Sequence, residues 1–368
     1  MIRDLQESMS ERGVAALVIT PSADLRYIAG YDAKALERLT CLVVPVTGDA
    51  FLVAPELEGH EARSSAFGLA GGEVITWGET ADPFSIVAER IRALPAGSVA
   101  VDDHMWAERV FRLGHALPDR EQIAAGSLLR RRRLVKTPLE IEHLERAAAA
   151  IDSVHAQVPT ILAPGMTEAQ AGAIIADAIL KAGHVSVDFV IVGSGPNGAS
   201  PHHSVSDRVM QVGDAVVVDI GGTMPSGYCS DCTRTYVLGE PSNEFQAAYD
   251  VLLDAQKQAK ESVAPGRTCE SIDARAREVM ASFTMDGRPL AEYFIHRIGH
   301  GIGLESHEEP YLVQGNTLAL EAGMTFSVEP GFYVSGRFGA RIEDIVVCTT
   351  DGVRSLNTRP RGLIRIPA

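Results

Sequence analysis

Gly213-Asp214-Ala215-Val216-Val217-Val218-Asp219-Ile220-Gly221 and Gly323-Met324-Thr325-Phe326-Ser327-Val328-Glu329-Pro330-Gly331 decide the fold of this chain. Each is an apolar strand led by glycine and closed by a carboxylate and another glycine; from 213 to 323 the offset is 110. A second repeat lies upstream in the same order. Ala163-Pro164-Gly165-Met166-Thr167 returns as Ala264-Pro265-Gly266-Arg267-Thr268, an offset of 101. In each copy a helix precedes the motif and the threonine is placed to cap an Ala/Ile-rich helix after it; Thr167 with Gln170 makes a capping box. Two matches in one order imply an internal duplication. This region should fold as two similar α/β halves with Asp219 and Glu329 at matched positions.

A carboxylate ending a buried apolar strand is costly unless it is paired or bound to a cation. More acids follow. Tyr228-Cys229-Ser230-Asp231-Cys232-Thr233-Arg234-Thr235-Tyr236 alternates like a strand folding back from a Gly-rich turn, and Arg341-Ile342-Glu343-Asp344-Ile345-Val346-Val347 is its counterpart. Asp219, Asp231, Glu329 and Glu343 on two hairpins repel one another in low dielectric unless cations are present. Two divalent ions balance four carboxylates, which points to a dinuclear centre.

Nitrogen ligands come from His296-Arg297-Ile298-Gly299-His300-Gly301-Ile302-Gly303-Leu304-Glu305-Ser306-His307-Glu308. The glycines at 299, 301 and 303 disfavour a helix, so this should be a turn and strand that brings backbone close to a ligand. Pro201-His202-His203-Ser204 follows a Gly-rich stretch, 193–198, that reads as a flexible loop. Cys229 and Cys232 form a C-x-x-C, but on a strand they face opposite sides, which argues against a redox or zinc pair.

Upstream, residues 15–20, 39–45, 50–54 and 99–102 read as strands, with helices over 83–94 and 105–113; this is the βα pattern of an α/β domain. No Gly-rich phosphate loop follows any strand, so no nucleotide is assigned. Trp77 and Trp106 read as packing residues. Ile141, Leu144, Ala148, Ile151, His155 and Val158 recur at helical spacing. The basic run 130–133 reads as a solvated linker or the C-terminal cluster of a helix. The boundary between the two domains falls near 132–137, giving 1–132 and 133–368.

With 48 acidic against 33 basic residues the net charge is −15, which disfavours nucleic acid and anionic membranes as partners. The apolar runs are far shorter than the roughly 20 residues of a membrane span. The first residues lack the apolar core of a signal peptide. Five cysteines at irregular spacing suit a reduced, cytoplasmic protein.

The set Asp219, Asp231, His300, Glu329 and Glu343 resembles the ligands of the pita-bread metallopeptidases. The strings around Asp231, His296–His300–His307 and Ser327-Val328-Glu329-Pro330-Gly331 are similar to the proline-specific branch, prolidase and aminopeptidase P. The resemblance is strongest over 134–350; the first domain resembles the creatinase/prolidase N-terminal domain. It implies an α/β N-terminal domain followed by an α+β pita-bread domain with an internal pseudo-two-fold repeat. It also implies a metallopeptidase, an Xaa-Pro dipeptidase, with aminopeptidase P action on longer peptides or a non-catalytic peptide-binding relative as alternatives. Phosphotriester hydrolysis is a side activity the same centre could support. By this resemblance Asp219 holds one ion, His300 and Glu329 the other, and Asp231 and Glu343 bridge them. His202, His296 and His307 surround the scissile peptide, Glu329 takes a proton, and Arg341 bonds a bridging carboxylate. One imidazole among carboxylates favours Mn²⁺, with Co²⁺ or Zn²⁺ possible. The partners are a small proline peptide and a second copy in a homodimer. In many prolidases an arginine that holds the dipeptide carboxylate follows the His-Glu-x-Pro string; Tyr311 stands there in this chain. Arg38, in a loop expected over 27–38, is then the candidate substrate-binding cation.

Overall fold

A computed structural model describes residues 1–367 and divides the chain into two compact units, Met1–Arg133 and Leu134–Ala368. In the first, six strands form a mixed sheet in the order Glu73–Trp77, Phe51–Pro55, Cys41–Pro45, Val14–Ile19, Ser98–Val101, Gln122–Ala124. Val14–Ile19 is buried along its whole length because both faces are covered. Leu17 and Ile19 pack with Leu5, Met9 and Leu25 on one side, while Ala16 and Val18 pack with Phe84, Val87 and Ile91 on the other.

The four expected strands and two helices form, with shifted ends. Two other expectations fail. The segment 27–38 is not all loop: Ala23–Ala29 is a helix capped by Ser22 and stopped by Gly30 in the left-handed conformation. Trp77 packs in the core and donates to the Leu39 carbonyl, but Trp106 is 45% exposed and stacks on Arg109 instead. Of the two readings of the basic run the helix one holds: the run ends the helix Gly126–Leu134, with Arg133 buried and paired with Asp24 at 3.1 Å.

The second unit is duplicated in its backbone hydrogen bonds. Gly165 N donates to Met210 O and Met210 N to Met166 O; 101 to 110 residues on, Gly266 N donates to Leu320 O and Leu320 N to Arg267 O. Helices Glu168–Lys181 and Cys269–Met280 follow the two motifs. The capping box at Thr167 is complete, whereas the Thr268 side chain makes no cap bond.

The hairpins match as well. Pairs from Ala215↔Val237 to Thr223↔Cys229 centre on Ser226; pairs from Thr325↔Val347 to Val334↔Phe338 centre on Gly336, 110 residues later. Asp219 lies in the middle of Ala215–Thr223 and not at its end, because Gly221 and Gly222 continue the strand. A Cβ on Gly221 would meet the Phe189 ring and Ser230 O at 2.5 Å, so this glycine serves close packing, not termination. The second hairpin is interrupted: Arg341 ends one strand, Asp344 starts the next, and Glu343 sits in the gap opposite Glu329-Pro330. Pro330 has no N–H to give the ladder.

Candidate metal centre

Because the two hairpins share one register, Asp231 corresponds to Arg341, Thr233 to Glu343 and Arg234 to Asp344. Two of these pairs touch their own counterparts. Thr233 Oγ1 donates to Glu343 Oε2 at 2.8 Å, and Arg234 pairs with Asp344 at 2.7 Å. The pseudo-dyad therefore passes between them, and the acids converge there.

Asp219, Asp231 and Glu343 form one close group of ligand atoms, and His300, Glu329 and Glu343 another; Asp231, His300 and His307 make a third, all within 4.8 Å. His300 Nε2 lies 3.2 Å from Glu329 Oε1 and 3.7 Å from Asp231 Oδ2. Its Nδ1 faces the Gly301 carbonyl at 3.1 Å. A carbonyl only accepts, so Nδ1 carries a proton; on the neutral ring the Nε2 lone pair points at the carboxylates, and on the protonated ring Nε2–H donates to Glu329. As expected from its glycines, Gly299–Gly301 is a strand, not a helix. A Cβ on Gly299 would sit 1.9 Å from Ser327 O, and one on Gly301 2.2 Å from Glu309 O.

Burial, then the neighbouring carboxylates, push Asp231 and Glu343 well above the usual carboxylate range. Burial opposes ionisation of Glu329 too, but the hydrogen bond and charge of His300, with His296 and Arg341, lower it to about 2. Asp219 Oδ1 and Glu343 Oε1 are buried without a hydrogen-bond partner among the described residues. Such orphans cost about 1–3 kcal/mol each unless something else satisfies them. Hard carboxylate oxygens with one imidazole fit a divalent cation.

Arg341 differs from the expectation: its direct partner is Asp219, not a bridging carboxylate. Its Nε donates to Thr233 Oγ1 at 3.1 Å, and that hydroxyl reaches Glu343, so the link to Glu343 runs through Thr233. Nη1 donates to Tyr333 OH at 2.8 Å and Pro201 O at 3.2 Å. Since the guanidinium can only donate, Tyr333 OH gives its proton to His296 Nε2 at 2.9 Å, and His296 Nδ1–H donates to Arg297 O at 2.7 Å. Both ring nitrogens of His296 are thus used within the protein.

His202 and His307 line a cavity of about 940 Å³ with the acids, His296, His300, Arg297 and Arg341; Phe189, Val190, Ile191 and Val205 form its apolar wall. Burial and then His300 lower the His307 imidazole to about 4. The stretch before His202 is no flexible loop. Gly193 and Ser194 end the strand Ser186–Ser194, and Gly195–Ala199 is a 3₁₀ turn. Glu168, fully buried, accepts from Ser194, Asn197, His203 and Ser206 and holds this segment. Arg38 belongs to the first unit, where Glu79 binds it at 2.8 Å and Glu37 at 2.5 Å.

Sequence reasoning missed Thr233, Tyr333, Glu168 and the Arg234–Asp344 pair. Cys229 and Cys232 fall in different apolar clusters, as opposite strand faces require.

The model of metallopeptidase family M24 matches residues 142–350, and that of the creatinase/prolidase N-terminal domain matches 1–135. A protein of Mycobacterium tuberculosis named probable dipeptidase PepE is 50% identical over 358 residues, 97% of this chain and 94% of its own. An Xaa-Pro dipeptidase of Lactobacillus helveticus is 34% identical, covering 99% and 98%. The crystal structure of dipeptidase PepE from Mycobacterium ulcerans superposes with a TM-score of 0.93 at 50% identity, over 100% and 97% of the chains.

Proposed function

The chain belongs to metallopeptidase family M24, and from that premise we propose that it hydrolyses Xaa-Pro dipeptides at a centre built between its two duplicated hairpins. The observation that carries the metal-dependent part is the pair of orphaned oxygens, Asp219 Oδ1 and Glu343 Oε1, inside a cluster of four acids and one imidazole. The names of the relatives, dipeptidase and Xaa-Pro dipeptidase, support the substrate class.

Asp219 would hold one cation, His300 and Glu329 the other, with Asp231 and Glu343 shared; the donor set favours Mn²⁺ or Co²⁺. When bound, two divalent cations polarise the scissile carbonyl and lower the pKa of water toward neutrality. Glu329 is the proton acceptor. His202 and His307 offer N–H groups to the carbonyl oxygen as negative charge builds on it. Arg341 fixes Asp219 and, through Thr233, Glu343; through Tyr333 it sets the tautomer of His296. The apolar wall Phe189, Val190, Ile191 receives the pyrrolidine ring. Five cysteines, all buried, support a cytoplasmic setting. The family resemblance further implies a homodimer.

Metal analysis with steady-state turnover of Ala-Pro and Ala-Pro-Ala tests the reading. Two divalent ions per chain and preference for Ala-Pro are expected. Preference for the tripeptide would make the chain an aminopeptidase P, and turnover undiminished by chelation would sink the metal centre.

A further inference from the structure

A free dipeptide carries its carboxylate one residue beyond the bond that is cut. Holding that charge in a half-buried cavity calls for a cation with N–H groups to spare. Two guanidinium groups line the cavity, Arg341 and Arg297. Arg341 is committed to Asp219, Thr233, Tyr333 and Pro201 O. Arg297 makes no ion pair with any described residue.

The surroundings of Arg297 are built, not incidental. Its carbonyl is fixed by His296 Nδ1, the His296 carbonyl accepts from Arg277, and Ile298 N donates to Asp273 Oδ1 at 3.0 Å. The main chain is pinned on both sides. The guanidinium lies 4.3 Å from the centroid of the Tyr311 ring. An aromatic ring holds the flat face of a guanidinium and leaves its N–H edge to fork a carboxylate.

We propose that Arg297, stacked on Tyr311, binds the free C-terminal carboxylate of the dipeptide and makes the centre selective for substrates that end one residue past the cut bond. This rests on the dipeptidase reading and names the group that measures length.

The test compares kcat/KM for Ala-Pro and Ala-Pro-amide with the metal-loaded full chain. The parent should favour the free acid by roughly 10–100-fold, the range of a charge-assisted hydrogen-bond pair. Arg297→Gln should bring that ratio close to one through a higher KM for the acid. Arg297→Lys, which keeps the charge but not the fork, should fall between. Should Arg297→Gln not fold, Tyr311→Leu should lower the ratio and Tyr311→Phe should restore it. A ratio unchanged in Arg297→Gln and in Tyr311→Leu overturns the assignment, as does a ratio that collapses in Arg38→Ala instead. Cleavage of Ala-Leu without cleavage of Ala-Pro would end the proline reading alone, and the acid-to-amide ratio on Ala-Leu would still decide Arg297.

Discussion

The two halves of the second unit share a register and differ where it matters. In the first, the hairpin runs unbroken from Ala215↔Val237 to Thr223↔Cys229. In the second, the same ladder opens at Glu329-Pro330 and Ile342-Glu343. The freed Glu329 N–H turns to Ile298 O at 2.8 Å, and Glu343 N–H crosses to Thr233 O at 3.1 Å. The break lets the second half reach into the first. Side chains at matched positions have diverged in a complementary way: Asp231 against Arg341, Thr233 against Glu343. His300 has its own counterpart, because Gly301 opposes Phe326 as Ser194 opposes Val216, 110 residues earlier, which sets Gly193 at the place of His300. Duplication preserved the backbone frame, and divergence inside that frame made a site neither half could make alone.

The largest expected effect tests whether the dyad mates are unequal. Glu343→Gln should lower bound metal below two ions per chain and cost more activity than the roughly 10–100-fold typical of an outer partner. Thr233→Val, at the matched position, should stay within that range and keep both ions. Equal metal loss in the two variants, measured by elemental analysis beside turnover, would make the halves interchangeable at the dyad.

A smaller effect sharpens the comparison eight residues before each Ala-Pro-Gly. His155 and Gln256 stand there, both fully buried. His155 bonds Tyr236 OH and Cys232 O, each at 2.9 Å, while Gln256 reaches Asp344. Burial, then the Arg234 charge, lower His155 to about 3, so it stays neutral in the folded chain while the unfolded chain protonates near the ordinary value. Its stabilising contribution is complete above about 6.5 and is lost as pH falls, by about 2 kcal/mol between pH 7 and 5. In urea unfolding at the two pH values, His155→Gln should flatten this slope and Gln256→Ala should leave it as it is. An unchanged slope in His155→Gln would place the acid sensitivity elsewhere.

The smallest effect concerns the helix starts. Thr167→Ala should cost about 1 kcal/mol, the worth of a cap bond. Thr268→Ala, with no cap bond to lose, should stay within about 0.5 kcal/mol by thermal unfolding. Equal costs would mean that the capping boxes are alike after all.

The duplication was legible because glycine, proline and the capping threonine mark backbone geometry, which both copies keep. The acids and histidines stood out because buried charge is rare on apolar strands. The interruption at Pro330 has a readable sign, a proline directly after the carboxylate that closes the strand, whereas nothing in 341–347 marks the break at Ile342-Glu343. Thr233 and Tyr333 look like ordinary strand residues; only the crossing of two hairpins gives their hydroxyls direction. Glu168 at the first position of a helix resembles any acid favoured by the helix dipole. Nothing local says that its side chain is buried under donors from four residues. Arg341 was found, but its partner depends on which hairpin lies opposite, a fact of tertiary structure alone.

Arg234 and Asp344, facing each other across the pseudo-dyad, also govern how such a chain can assemble. A half-domain that met a second copy of itself, rather than its own sequel, would set Arg234 against Arg234 or Asp344 against Asp344 in a buried place. Breaking a buried ion pair costs about 3–5 kcal/mol, before the repulsion between like charges is counted. The pair thus acts as a key between unlike halves: it rewards joining first to second and penalises the pairing of two like halves.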